Sequence, residues 1–447
     1  MELVVSLLAI LLCLIVLKQI YRGKTIPLVC VVYTAYYLTQ VVLGSILYIT
    51  DPSFNFDNLY GTTIRQSLLP MSIGVIFGIS ALYLGVKSSR IAKKSTPSLN
   101  TILDLVDEKY SIETIIIILL VFFSCSIFRT FNLGYLVNLV ANTFNFATLI
   151  VGYFWFRLNR EIKYLWILAL VISFVFHVIQ GSRGYAVYPI VFLLVGLILS
   201  VSDNKKEMRK RIIVYTSVMI LFMPLFSKIQ DYRIALGRGV DVSVESFENM
   251  VDYLVSDGPS ADEKTGLSKN VSRFVIGANF ATTSLSPGVI PHFGFKGMDD
   301  EIKSMFTLVG SDNVDSYREK RSELNYGTGI AARYGFNITE LNSVEFPLFA
   351  DAYARFGYIG IFVYFYLFSF LFCKLELYVR RLCLSNSVLG VLLLTLLVYN
   401  GSLSYGSSYS TLGKVLIFRG LFITFVAAII AKISEKKILN YRTNHGC

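Results

Sequence analysis

Charge is scarce in this chain. Asp, Glu, Lys and Arg make up 16% of 447 residues, against about a quarter in an ordinary soluble domain. Too few charged groups are present to clothe a water-soluble fold of this length, so a soluble enzyme is excluded as the first reading. Histidine occurs only three times and tryptophan twice. The six cysteines (Cys13, Cys30, Cys125, Cys373, Cys383 and Cys447) lie within or beside apolar runs or at the tail, and none lies in the long polar segment. Neither a disulfide framework nor a zinc site is indicated. The N-terminus lacks a basic leader and a small-x-small cleavage site after its apolar stretch, so it reads as a retained first span. Internal repeats, low-complexity tracts and a matched pair of Gly/Pro-broken spans, the mark of inverted-repeat transporters, are also missing.

What the chain has instead is apolar sequence: 54% hydrophobic residues and a mean hydropathy of +0.60. About 17–20 apolar residues suffice for a spanning helix. On that measure eleven spans are expected, over 1–17, 26–49, 68–86, 112–128, 136–156, 164–179, 185–201, 212–226, 358–372, 388–403 and 415–430. The expected organisation is eight spans in 1–226, a large outer loop over 227–357, three spans in 358–432 and a cytoplasmic tail over 433–447.

The net charge of +11 does not point to nucleic acid, because it comes from short basic clusters between apolar runs. Lys and Arg in short loops stay in the cytoplasm. The loops after spans one, three, five, seven and nine and the tail hold 23 basic residues, against Arg65, Arg129, Arg183 and Lys414 in the short loops of the other side. This bias predicts an outside N-terminus and a cytoplasmic C-terminus. The loop 227–357, with 13 Lys/Arg and 18 Asp/Glu, then lies outside and is too long for a plain connector.

Two nucleotide-site look-alikes fail on context. No strand of a βαβ unit precedes Gly327-Thr-Gly329, and Glu263 stands where a P-loop needs glycine. The run Asp299-Asp300-Glu301 reads as a solvated acidic face, so no metal site is expected. The basic residues that break the positive-inside trend carry more information. Arg65, Arg129, Arg183 and Arg355 map to the outer interface, and Arg419, inside the last span, lies five residues from the outer-side Lys414. Any one of them alone reads as a snorkelling anchor. Together they describe a ring of guanidinium groups at the outer leaflet, the side chain best matched to phosphate oxygens. Tyrosines are abundant and mostly form the aromatic belt. Among the histidines, His177 falls within span six and His445 in the tail, so His292 in the outer loop is the better acid/base candidate.

Three features taken together resemble the oligosaccharide repeat unit polymerases, the Wzy-type O-antigen or capsule polymerases. They are Gln180-Gly-Ser-Arg-Gly184 between two spans, the large outer loop, and Phe349-Ala-Asp-Ala-Tyr-Ala-Arg-Phe-Gly-Tyr-Ile-Gly360 leading into the next span. Arg318 and Gly329 match an Arg-x10-Gly spacing found in some relatives. Where the related O-antigen ligases carry a His-Asn pair upstream of the glycine corresponding to Gly357, this chain has Glu345 and Phe346. That departure favours polymerase over ligase. A transporter of lipid-linked glycans and a non-catalytic assembly subunit are the rivals from other classes.

The resemblance implies an all-α, polytopic, GT-C-like glycosyltransferase of the bacterial cytoplasmic membrane. Its substrates would be oligosaccharides linked to undecaprenyl pyrophosphate, and its partners membrane lipid and, in the same pathway, a chain-length regulator and a flippase. No cofactor is implied. Arg183, Arg318, Arg333 and Arg355 lead the expected pyrophosphate ligands, with Arg129, Arg65 and Arg419 behind them. Asp351, Glu345 and His292 are the candidate bases.

Overall fold

In a computed structural model, the structure describes residues 1–22, 27–52, 63–89, 99–128, 145–179, 183–201, 204–221, 244–255, 295, 348–403 and 409–435. Among these no strand forms, apart from one isolated bridge between Tyr110 and Glu435. A hydrocarbon solvent explains this, because a lipid-exposed backbone must satisfy its own N–H and C=O groups and a helix does so within one segment.

The helices are α1 (Glu2–Arg22), α2 (Leu28–Thr50), α3 (Ile64–Ser88), α4 (Leu99–Lys109), α5 (Ile112–Phe128), α6 (Ala147–Phe154), α7 (Arg160–Ile179), α8 (Arg183–Leu199), α9 (Lys205–Leu221), α10 (Val244–Val255), α11 (Leu348–Ser385), α12 (Ser387–Leu403) and α13 (Tyr409–Ser434). Six segments are long and apolar enough to cross a bilayer: Glu2–Ile20, Leu28–Thr50, Ile64–Ser88, Arg160–Ile179, Arg355–Ser385 and Leu416–Ser434. Shorter apolar helices, Ile112–Cys125, Ala186–Leu199 and Ser387–Tyr399, fall where further spans were expected. Much of the expected span 136–156, and the end of the one over 212–226, lie outside the described residues. The outward surfaces agree with a lipid solvent: Leu7, Leu11 and Leu14 of α1, Leu165, Leu168 and Val171 of α7, and Leu421 and Phe425 of α13 are all exposed. Rows of aliphatic side chains on that scale are unfavourable against water.

Two expectations are corrected. The ninth span was expected to end at residue 372, with Lys374, Arg380 and Arg381 in a loop; α11 instead continues as helix to Ser385. An apolar window stops at the first charges, whereas backbone hydrogen bonding does not. Between the third and fourth spans, where the charge pattern predicts only a loop, α4 is an amphipathic helix that buries Ile102, Leu103 and Val106. Its polar side is held by Arg157, which pairs with Asp104 and Asp107 at 3.5 Å each.

The chain forms two compact units. The first comprises Met1–Thr96, Ser268–Val379 and Leu397–Phe418; the second comprises Pro97–Leu267, Arg380–Leu396 and Arg419–Cys447.

In the first unit, α2 and α11 run antiparallel in a readable register. Leu28 meets Glu376, Cys30 lies 3.8 Å from Cys373 between sulfurs, the Tyr33 ring lies 4.7 Å from Phe368 and the Tyr37 ring 5.6 Å from Phe365. Helix α3 runs parallel to α11, because Gly78 faces Ile361 and Phe365 while Gly85 faces Tyr366 and Ser369. Gly74, Gly78, Ala81 and Gly85 recur at intervals of three and four, so they share one face of α3. Small residues at such a face let helix backbones approach where lipid offers no hydrophobic drive for association. A hydrogen bond of 2.9 Å between the Ser6 and Ser72 hydroxyls sets α1 beside α3, and the electrostatic contact of Glu2 with Arg65 one to two turns earlier gives the two helices the same direction. The starts of α1, α3 and α11 therefore share one end of this unit, the alternation expected from the loop charges.

In the second unit, α6 and α8 cross at a reciprocal pair of glycines. A Cβ on Gly152 would meet the carbonyl of Leu193, and one on Gly196 would meet the carbonyl of Leu149. Trp166 of α7 packs against Phe123 of α5 at 5.3 Å and donates its indole N–H to the carbonyl of Ile116 at 3.3 Å.

Candidate functional site

The stretch that carries the resemblance, 348–360, folds as a broken helix in the first unit. Gly357 interrupts α11 at φ 66 and ψ −153. That conformation lies in a region essentially closed to side chains bearing a Cβ, so glycine is required there by the backbone itself. The segment before the break is anchored by Leu348, Phe349 and Ala352, all buried. Phe349 sits over the Cβ-less surface of Gly74, and its ring lies 5.5 Å from Tyr37 and 6.1 Å from Phe365. Beyond the break, a Cβ on Gly360 would collide with the carbonyl of Ala352. Two glycines three residues apart thus perform different tasks: Gly357 permits the turn, and Gly360 permits the two halves to close on each other.

Arg355 lies two residues before the break and is 2% exposed. Its guanidinium cannot shed its proton, so its burial is expensive and is sustained only by polar or anionic surroundings. The break also gives the second half of α11 a helix start near Tyr358, whose dipole adds positive potential beside Arg355. Around this joint stand aromatic groups. Tyr353 and Tyr358 are 5.1 Å apart and edge-on, Phe77 stacks on Tyr358 at 5.6 Å, and Phe295 meets Phe356 at 4.9 Å. Burial pushes the Tyr353 phenol above its ordinary value, so at neutral pH it keeps its proton and can donate as well as accept. The Tyr37 hydroxyl is buried and has no hydrogen-bond partner among the described residues. The arrangement offers a fixed cation, a helix-start dipole and aromatic walls, a combination suited to an anion carried on an apolar or glycan body.

The other expected site residues fall as follows. Arg65 is exposed at the start of α3, the end of the first unit at which α11 also begins. Asp351 lies on the helical segment one turn before Arg355, and its side chain is outside the described residues. Arg183 opens α8, its side chain likewise outside them, and Arg419 is half-buried on α13; both belong to the second unit. Arg129, His292, Arg318, Arg333 and Glu345 lie outside the described residues altogether.

Sequence reasoning passed over three features. Glu376, a carboxylate in a span, is 1% exposed; as an ionisable residue inside an apolar run it could have been singled out on cost alone. The aromatic cluster of Tyr33, Tyr37, Phe349, Phe365 and Phe368 carried no signal beyond general aromatic richness. Gly357 carries the family resemblance in the sequence, and its backbone role shows only in the fold.

No family model matches the chain, and no curated protein and no solved structure matches it.

Proposed function

We propose that this chain is a repeat-unit polymerase of the Wzy type, an eleven-span, GT-C-like glycosyltransferase of the bacterial cytoplasmic membrane with its N-terminus and its 227–357 loop outside. The carrying observation is the burial of Arg355 beside the Gly357 break, within the stretch on which the resemblance rests. The shared direction of α1, α3 and α11 supports the alternation that puts this joint on the outer side.

In the reaction the anomeric C–O bond to undecaprenyl pyrophosphate breaks, and the carrier leaves with the electron pair. A hydroxyl of the next lipid-linked unit forms the new glycosidic bond, and its proton passes to a base, for which Asp351, Glu345 and His292 are the candidates. The leaving group is already good, so the protein's main tasks are to neutralise the pyrophosphate and to position the acceptor. Arg355 supplies positive charge in this reading, and the resemblance adds Arg183, Arg318 and Arg333 as further candidates.

The test is genetic and direct. Deletion of the gene should leave single lipid-linked repeat units made and exported but not joined, with long chains restored by the wild-type copy. Accumulation of finished polymer on its carrier would assign the ligase step instead, and retention of single units on the cytoplasmic face would assign transport.

A further inference from the structure

The start of α9 divides its cations between two tasks. Arg211 is committed inward: it pairs with Glu207 at 3.1 Å, donates to the carbonyl of Leu197 at 2.9 Å and to Ser200 at 3.2 Å, and lies 4.6 Å over the Phe156 ring. These contacts fix α9 against its own unit and occupy the one carboxylate of its first two turns. Lys206, Arg209 and Lys210 are exposed, and no ion pair to them occurs among the described residues. With Ile213 and Val214 they line an open groove of about 610 Å³. At 100° per residue these five positions fall within about 140° of one another around the helix.

The order along the axis identifies the occupant. At about 1.5 Å per residue, Ile213 and Val214 lie roughly 6 Å beyond Arg209 and Lys210. The headgroup zone of one leaflet is about 5–7 Å thick, so cations at its level leave the next turn at the level of the acyl chains. Ile213 is 66% exposed and Val214 46% exposed, which favours hydrocarbon contact and disfavours an acidic protein or a nucleic acid as the occupant. We propose that this groove is a binding site for an anionic phospholipid, its phosphate held by Lys206, Arg209 and Lys210 and its acyl chains lying on Ile213 and Val214.

The test uses the full-length protein in detergent micelles containing equal amounts of phosphatidylglycerol and phosphatidylcholine, with retained lipid counted by mass spectrometry. Each surface cation is worth about fivefold in affinity for an anionic headgroup. With three such cations the wild type should retain phosphatidylglycerol roughly a hundredfold over phosphatidylcholine at low salt and lose most of that preference above about 0.5 M salt. The triple variant K206Q/R209Q/K210Q should show no preference, whereas the charge-conserving K206R/R209K/K210R should retain it. Glycerol phosphate, which has the anion without the chains, should not compete. An absence of preference in the wild type, which needs no variant to fold, would overturn the proposal. So would a triple variant that selects as the wild type does, or displacement by glycerol phosphate at the lipid's own concentration, which would make the groove a plain anion site.

Discussion

The backbone N–H of Leu28 donates to the carboxylate of Glu376 at 3.1 Å, joining two residues 348 positions apart. Leu28 opens α2 directly after Pro27, which carries no N–H of its own and whose position makes no side-chain cap. A helix start inside a membrane protein leaves N–H groups that lipid cannot satisfy. Here a carboxylate from a distant helix caps it, and its charge complements the positive end of the α2 dipole. Glu376→Gln should keep the shape but weaken this cap, and Glu376→Ala should remove it. The expected losses are about 1 kcal/mol and about 2–3 kcal/mol of stability, respectively. Thermal melting of purified protein in detergent checks this; equal melting temperatures for both variants and the wild type would show that the cap is idle.

Gly357 should tolerate no replacement. Alanine and asparagine should both cost about 1–3 kcal/mol, because φ 66 with ψ −153 lies outside the left-handed helical region that asparagine accepts. Polymer length at matched membrane abundance should fall in both variants. An asparagine variant as active as the wild type would mean that the break is not needed for function.

The arginines are tested by lysine as much as by alanine. If Arg355 holds pyrophosphate through a two-pronged contact, Arg355→Lys keeps the charge, loses the fork and should fail almost as badly as Arg355→Ala. A transition-state contact of about 2–4 kcal/mol corresponds to a thirtyfold to thousandfold loss of rate. The same is expected for Arg183, Arg318 and Arg333. Near-normal long-chain polymer from all four lysine variants would sink the pyrophosphate clamp while leaving the polymerase reading open.

Helix crossings separate glycines that matter from those that do not. Gly152→Ala or Gly196→Ala drives a methyl into the backbone of the facing helix, so each should destabilise by at least about 2 kcal/mol. Gly420→Ala, with no atom of another described segment within 4 Å of the added carbon, should be neutral or stabilise α13 by up to about 1 kcal/mol. Detergent melting of the three variants provides the comparison, and a Gly420→Ala variant as damaged as the other two would invalidate the packing argument.

Reporter fusions check the orientation. Those after Lys24, Lys94, Lys163, Arg211, Arg381 and Arg442 should signal cytoplasm, and those near Asp57 and Asp262 the outside. A cytoplasmic signal at Asp262 would overturn the placement of the loop and of every site residue within it.

Composition alone predicts apolar helices, although α4 and the full length of α11 escape it. Apolar runs such as Leu28–Thr50 and Ile64–Ser88 have one way to satisfy their backbones in hydrocarbon, so helix follows from composition without reference to any partner. Charge alternation likewise carried the relative directions of α1, α3 and α11, because each loop's side depends only on its own lysines and arginines. The tertiary structure alone decided the joint at Gly357, the cap on Leu28 and the division of glycines into essential and idle. In sequence Gly152, Gly196 and Gly420 look alike, as do Glu376 and any other charge at a span's end. What distinguishes them is the atom that each meets on another helix, and that contact arises from packing between segments whose separation along the chain leaves no periodic trace.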